Sequence, residues 1–217
     1  MINHISGSRL FEEITKLYHC GEAVLVQKKL IQYGLFSRLF QQTHELLDGD
    51  KPVHALLSIA FENTDHRIKD NKPVTPAFIF AVLLWFPLLS KVEELKLQGI
   101  DPLPALEKSM ALVIAEQNKV IMVPKRFTQV IREIWLLQYR FTKRTGNRAY
   151  HLLEHPRFRA AYDFLAIRAL AGDEAMELAD WWTKFQDVDP QEQALMIDAL
   201  TPAAPPPKRR RKAKNKS

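Results

Sequence analysis

Between Lys125 and Arg159 the chain interleaves fixed positive charge with flat aromatic surface. Lys125, Arg126, Arg132, Arg140, Lys143, Arg144, Arg148, Arg157 and Arg159 supply the charge, and Trp135 and Tyr139 the rings; Arg168, Tyr150 and Phe158 extend both sets. Guanidinium forks pair bidentately with phosphate oxygens. Cations along phosphates and rings on bases are how proteins hold a single-stranded nucleic acid, and RNA in particular. A second run, Lys208, Arg209, Arg210, Arg211 and Lys212, followed by Lys214 and Lys216, adds cations with no aromatic between them. Plainer readings stay open. A charged face keeps a surface helix in solution, and the acidic stretch Asp173, Glu174, Glu177 and Asp180 can neutralise it from within the molecule. The terminal run reads as a solvated end, a nucleic-acid arm or a membrane-surface patch.

Bond-making chemistry has weaker support. Two Asp-x-Asp triplets, Asp48-Gly-Asp50 and Asp187-Val-Asp189, have the spacing of a two-metal nucleotidyl-transfer site. Each precedes a proline, Pro52 and Pro190, and reads as turn chemistry instead. The histidines, His4, His19, His44, His54, His66, His151 and His155, form no HExxH or Cys/His ligand pattern, and Pro156 puts a helix boundary at the His151/His155 pair. Cys20 has no patterned base and reads as a buried structural cysteine. Ser6-Gly7-Ser8 carries no message of its own. No catalytic and no metal-ligating residue is assigned.

Charge and composition narrow the function classes. The 217 residues are 47% apolar and 26% charged, enough for a real core, with net charge +6. That charge is localised: residues 1–124 sum to −1, 125–168 to +7, 169–207 to −7, and the last ten residues to +7. One cysteine excludes a disulfide framework and fits a reducing compartment, the cytoplasm by default. No secretory signal opens the chain, and the longest apolar stretch, Ala77 to Leu89, contains Pro87 and falls short of the ~18 residues of a membrane span. It reads as a core helix. Seven scattered glycines provide no phosphate-cradling loop of the Walker or dinucleotide type.

Apolar residues recur at three- and four-residue spacing, with no sustained alternation, so the expected fold is all-α: a compact multi-helix bundle of helical hairpins. Helices are expected over 8–20, 22–33, 35–47, 52–63, 76–90, 102–117, 124–145, 147–153, 157–171 and 173–185, with the folded part ending near Asp198. Thr75-Pro76 and His155-Pro156 mark helix starts, and Gly146 and Gly172 suit helix ends. The Pro-rich segment from Thr201 to Pro207 leads into a disordered basic tail. On a helical wheel Phe127, Val130, Ile131, Ile134, Leu137 and Phe141 share one face. Lys125, Arg126, Arg132, Arg140, Lys143 and Arg144 share another, with Trp135 and Tyr139 between the two.

The stretch PKRFTQVIREIWLLQYRFTKRTGNRAYHLLEHPRFRAAYDFLAIRA, residues 124–169, resembles the C-terminal arm of bacterial poly(A) polymerase. The resemblance extends to SRLFEEITKLYHCGEAVLVQKKLIQYGLFSRLF at 8–40, NTDHRI at 63–68, TPAFIFAVLLWFPLL at 75–89 and the basic tail, and so covers most of the chain. It implies a relative of the CCA-adding enzymes, a class II nucleotidyltransferase that adds AMP from ATP to RNA 3′ ends in mRNA polyadenylation, processing and decay. The family's Gly-Gly/Ser loop, its Arg-Asp and its strand-borne Asp-x-Asp do not occur here, so no catalytic residue carries over and this chain alone is expected to be inactive. ATP and magnesium are expected only in a parent that has the catalytic head. Three units follow from the resemblance: 1–62, the end of a neck and RNA-binding helical region; 63–198, an arginine-rich helical domain; and 199–217, the tail. The chain looks like a C-terminal fragment, a truncated reading frame or a split gene product, unless the head lies upstream of Met1. Expected partners are single-stranded RNA and an RNA helicase or other RNA-decay protein. The rival reading is a non-catalytic scaffold that docks such a protein.

Overall fold

The three-and-four spacing of apolar residues is realised as helix wherever the chain is regular. The computed structural model describes residues 5–47 and 51–200, and among them are thirteen helices and no strand. They are α1 (Gly7–Tyr18), α2 (Ala23–Gln32), α3 (Phe36–Leu39), α4 (Gln41–His44), α5 (Lys51–Lys69), α6 (Pro76–Leu83) and α7 (Trp85–Leu97). There follow α8 (Pro102–Gln117), α9 (Lys125–Phe141), α10 (Arg148–Leu153), α11 (Phe158–Leu170), α12 (Met176–Asp187) and α13 (Pro190–Asp198). The bundle expected from the sequence is therefore present, with different breaks.

The centre is α6, buried at every position from Ala77 to Leu83, with Thr75 capping its start by accepting a hydrogen bond from the Ala77 N–H. It packs on α9 and also meets α5, α7 and α11. The main core runs from Leu10 to Ile167, and a second cluster gathers Leu137, Phe141, Leu152, Phe158, Leu165, Trp182 and Phe185. Both α9 and α11 contribute to the two clusters, so they tie the halves of the molecule together. The boundary expected at residue 62 falls inside α5, which is continuous across it.

The expected 76–90 helix is two helices that break at Leu84. The break moves Pro87 into the first turn of α7, where a missing N–H costs nothing; within one long helix it would have deleted a bond and struck the preceding turn. The segment 35–47 is likewise two single turns that meet at Phe40. Asp189 lies in the turn before Pro190, as expected, and caps α13, its Oδ1 accepting from the N–H groups of Gln191 at 2.8 Å and Glu192 at 3.0 Å, whereas Asp187 is the last residue of α12. Cys20 is exposed, contrary to the expected burial, because it lies in the turn after α1 beside Gly21. Ser6-Gly7-Ser8 has a local role. Ser6 caps α1, and a Cβ on Gly7 would lie 3.0 Å from the Met122 backbone nitrogen, so the close approach of α1 to the 120–123 segment requires glycine. Asp48, Gly49, Asp50 and the basic tail from Lys208 to Lys216 lie outside the described residues.

Candidate nucleic-acid interface

The seam of the molecule is α9. Ile131, Ile134, Trp135, Leu137, Gln138 and Phe141 are buried, because α6 lies along one flank and α11 along another. Two packing neighbours make the buried arc wider than a single apolar stripe, and this corrects one site residue. Trp135 is fully buried, and its indole N–H donates to the Ala81 carbonyl at 3.0 Å, so it cannot stack on a ligand. The helix also stops at Phe141, short of Lys143 and Arg144. Arg144 turns back over the Trp181 ring at 5.2 Å, faces Glu177 at 3.8 Å and keeps only 16% of its side chain exposed. It belongs to the packing of α12 more than to the outward face.

Most of the remaining residues fall into two groups. Toward the C-terminal end of α9, Tyr139, Arg140 and Lys143 meet Arg148, His151 and His155 around a groove of about 410 Å³ with Leu103, Leu136 and Leu152 as its apolar walls. Glu107 is the one carboxylate in the lining. Arg140 and Arg148 have no ion-pair partner among the described residues, and both are exposed. The Lys143 ammonium lies 4.2 Å from the Tyr139 ring centre and donates to its hydroxyl at 2.7 Å, so the ring is half-buried with a cation at its edge. Cation, ring and apolar wall in one groove are what a stacked base and its flanking phosphates require. Lys125 and Arg132 are exposed on α9 outside this groove.

At the opposite end of α9, Arg126, Arg157 and Arg159 line a separate cavity of about 440 Å³ together with Arg67 of α5. Sequence reasoning missed Arg67, which stands in the balanced first half of the chain and is brought to the others by tertiary packing alone. Arg157 donates to Glu133 at 3.1 Å; Arg159 and Arg67 share Asp163, at 3.0 and 3.4 Å. Burial pushes the Asp163 carboxyl above its ordinary pKa, against the opposing pull of Arg159 and Arg67.

Arg168 is not part of any face. Its side chain is 7% exposed, with Nε on Asp173 at 2.6 Å, Nη2 on Glu174 at 3.2 Å, Nη1 on Gln138 at 3.1 Å, and its guanidinium 4.3 Å from the Trp85 ring. Trp85 in turn donates to Asp173 at 2.8 Å. The acidic stretch therefore does neutralise arginine inside the molecule, at Arg168 and near Arg144, while Arg126, Arg140 and Arg148 make no ion pair with it among the described residues. Among the described residues, no three of His, Cys, Asp and Glu come together to hold a metal ion. None of the described helices is long and apolar enough to cross a membrane.

Comparison with known proteins gives the family. Residues 98–216 match a family described as the arginine-rich C-terminus of polymerase A, and residues 1–47 one described as a probable RNA and SrmB-binding site of polymerase A. Over 222 residues the chain is 37% identical to poly(A) polymerase I of Escherichia coli O157:H7, covering 100% of itself and 48% of that protein. For Salmonella typhi poly(A) polymerase I the figures are 38% over 216 residues, 97% and 46%; for that of Haemophilus influenzae, 35% over 219 residues, 97% and 47%. The chain thus spans about half the length of the curated relatives it matches. Its first 47 residues and its region from residue 98 onward each carry the family's signature, and the chain belongs to the poly(A) polymerase family, in its arginine-rich C-terminal part.

Proposed function

We propose that this chain is the RNA-holding part of a poly(A) polymerase, binding single-stranded RNA without sequence preference in the groove along the C-terminal half of α9. The observation that carries the reading is the groove itself: Arg140, Lys143 and Arg148 around the Tyr139 ring, with Glu107 also in the lining but no ion pair on either arginine among the described residues. Such a groove follows phosphates electrostatically and accepts any base on its ring. Lys125 and Arg132 extend the positive surface, and the tail from Lys208 to Lys216 supplies a further electrostatic arm. Addition of AMP from ATP, with its magnesium, is the work of a catalytic half outside these residues, in the cytoplasm. A triple substitution of Arg140, Lys143 and Arg148 to Gln tests the reading by fluorescence anisotropy with a labelled RNA. The expected result is at least about tenfold weaker binding and a log-affinity against log-salt slope shallower by about 2, since each single-strand phosphate contact contributes ~0.7. Unchanged affinity and slope would overturn it.

A second reading has its own support. The N-terminal match names SrmB beside RNA, and α1 and α2 expose Leu17, Leu25 and Ile31, with Tyr33 just beyond at 68% exposure. A helicase docking on this apolar surface is compatible with RNA held at α9. A pull-down that persists after nuclease treatment and is lost in Leu25→Ser with Tyr33→Ser supports it.

A further inference from the structure

The cavity at the N-terminal end of α9 is built differently from the groove. Its arginines come from separate elements: Arg67 from α5, Arg126 from the first turn of α9, Arg157 and Arg159 from the start of α11. A cavity lined by guanidiniums from three elements suits a tetrahedral oxyanion with three free oxygens better than a planar carboxylate with two, although Arg159 also lies over the Tyr162 ring at 5.6 Å. The count of charges points the same way. One carboxylate, Asp163, lines the cavity and Glu133 holds Arg157 from outside it, which leaves four guanidiniums against two acids. Arg126 has no carboxylate partner among the described residues; it rests on the Phe127 ring, 4.8 Å from the centre, with its charge available.

The backbone adds to this field. The starts of α6, α9 and α11 all line the cavity, through Thr75, Arg126 and Phe127, and Pro156 and Arg157. Helix N-termini carry partial positive charge; the Phe127 and Phe158 N–H groups donate to the Pro124 and His155 carbonyls and the Arg157 N–H to His155 Nδ1, so the starts of α9 and α11 contribute field more than free donors. Arg67 is held in place by donating to the Pro73 carbonyl at 3.2 Å as well as to Asp163. The volume, about 440 Å³, exceeds what one oxyanion fills, and Phe78, Phe127 and Val130 give it an apolar wall for an attached ring.

We propose that this cavity is a phosphate pocket that takes the terminal phosphate of a nucleotide, with the nucleoside against the Phe127 side. None of its four arginines lines the RNA groove, although the two linings adjoin where His155 meets Pro156. The ligand chemistry has two sources, a free nucleotide or the phosphorylated end of an RNA strand, and the Asp163 carboxylate is the competitor that either must face.

The test uses the full chain with AMP as the probe in calorimetric titration, and inorganic phosphate beside it. Saturable AMP binding is expected, weakened at least fivefold in Arg126→Gln and in Arg159→Gln and unaffected in Arg140→Gln. Asp163→Asn removes the competing charge and should tighten AMP binding about threefold or more, a gain that general damage to the fold does not produce. Arg126 is exposed and makes no ion pair among the described residues, so its variant keeps the fold testable, as circular dichroism would verify. Displacement of AMP by 5′-phosphorylated RNA but not by its 5′-hydroxyl counterpart assigns the pocket to a strand end; equal and weak displacement by both assigns it to a free nucleotide. No saturable binding, equal loss in Arg140→Gln, or stronger displacement by an acidic peptide than by either RNA would overturn the proposal.

Discussion

Arginine has two opposite jobs in this chain, and the sequence does not separate them. Arg140 projects into an open groove, whereas Arg168, which carries the same charge in the same basic segment, is locked between Asp173, Glu174, Gln138 and the Trp85 ring. Periodicity cannot tell them apart, because the acids that claim Arg168 follow the loop after Gly172. That glycine has φ +79°, and the turn lets the Asp173 N–H return to the Arg168 carbonyl at 2.9 Å. The consequence is measurable. Arg168→Met leaves Asp173, 8% exposed, without its cation, and removal of one member of such a buried pair costs about 3–5 kcal/mol. Urea unfolding should show that loss while the folded fraction binds RNA as before. A variant whose stability is unchanged would mean that Asp173 finds water or another partner. Trp135 teaches the same lesson for rings. Its place between the two wheel faces left it open to either use, and only the packing of α6 on that flank decided for the core.

At the scale of elements the long periodic helices were legible and their ends were not. α8 matches its expected span, and α9 was recognised although the sequence extends it past Phe141. Where the expected span stops too soon, polar side chains are bonded within the helix or to another helix. The helix expected over 52–63 runs on to Lys69, and Thr64 bonds back to the Ala60 carbonyl at 2.8 Å. Asp65 reaches across to α2 and accepts from the N–H groups of Ala23 at 2.5 Å and Val24 at 3.2 Å. It caps a helix to which it does not belong, and a local reading cannot see such a cap. Glu22, at the start of α2, provides no side-chain cap of its own. Asp65→Ala should therefore cost about 1 kcal/mol, as a lost N-cap does, and speed hydrogen exchange at Ala23 and Val24 ahead of the rest of the molecule. Uniform exchange across α2 would show that the cap is dispensable.

At the scale of the whole molecule the fold class, the basic character and the family were all readable from residue types, while the sorting of the charges depends on which helices meet. The groove and the phosphate pocket lie toward opposite ends of α9, a helix whose two flanks are held in the two cores, and this makes α9 a ruler. From Arg126 to Arg140 the rise of 1.5 Å per residue gives a separation of about 21 Å along its axis. If both places are filled by one strand, ligand length becomes a variable in its own right. A strand too short to cover that span engages one place at a time, whereas a longer one gains the second contact at high effective concentration. Affinity measured against a ladder of 5′-phosphorylated oligonucleotides should then rise in a step at a threshold length, and Arg126→Gln should flatten the step without moving the affinity of the shortest members for the groove. A smooth rise with length would mean that the two places serve different ligands. The rigidity of one buried helix would in the first case set the shortest RNA that the molecule holds firmly, a length discrimination that needs no contact with any base.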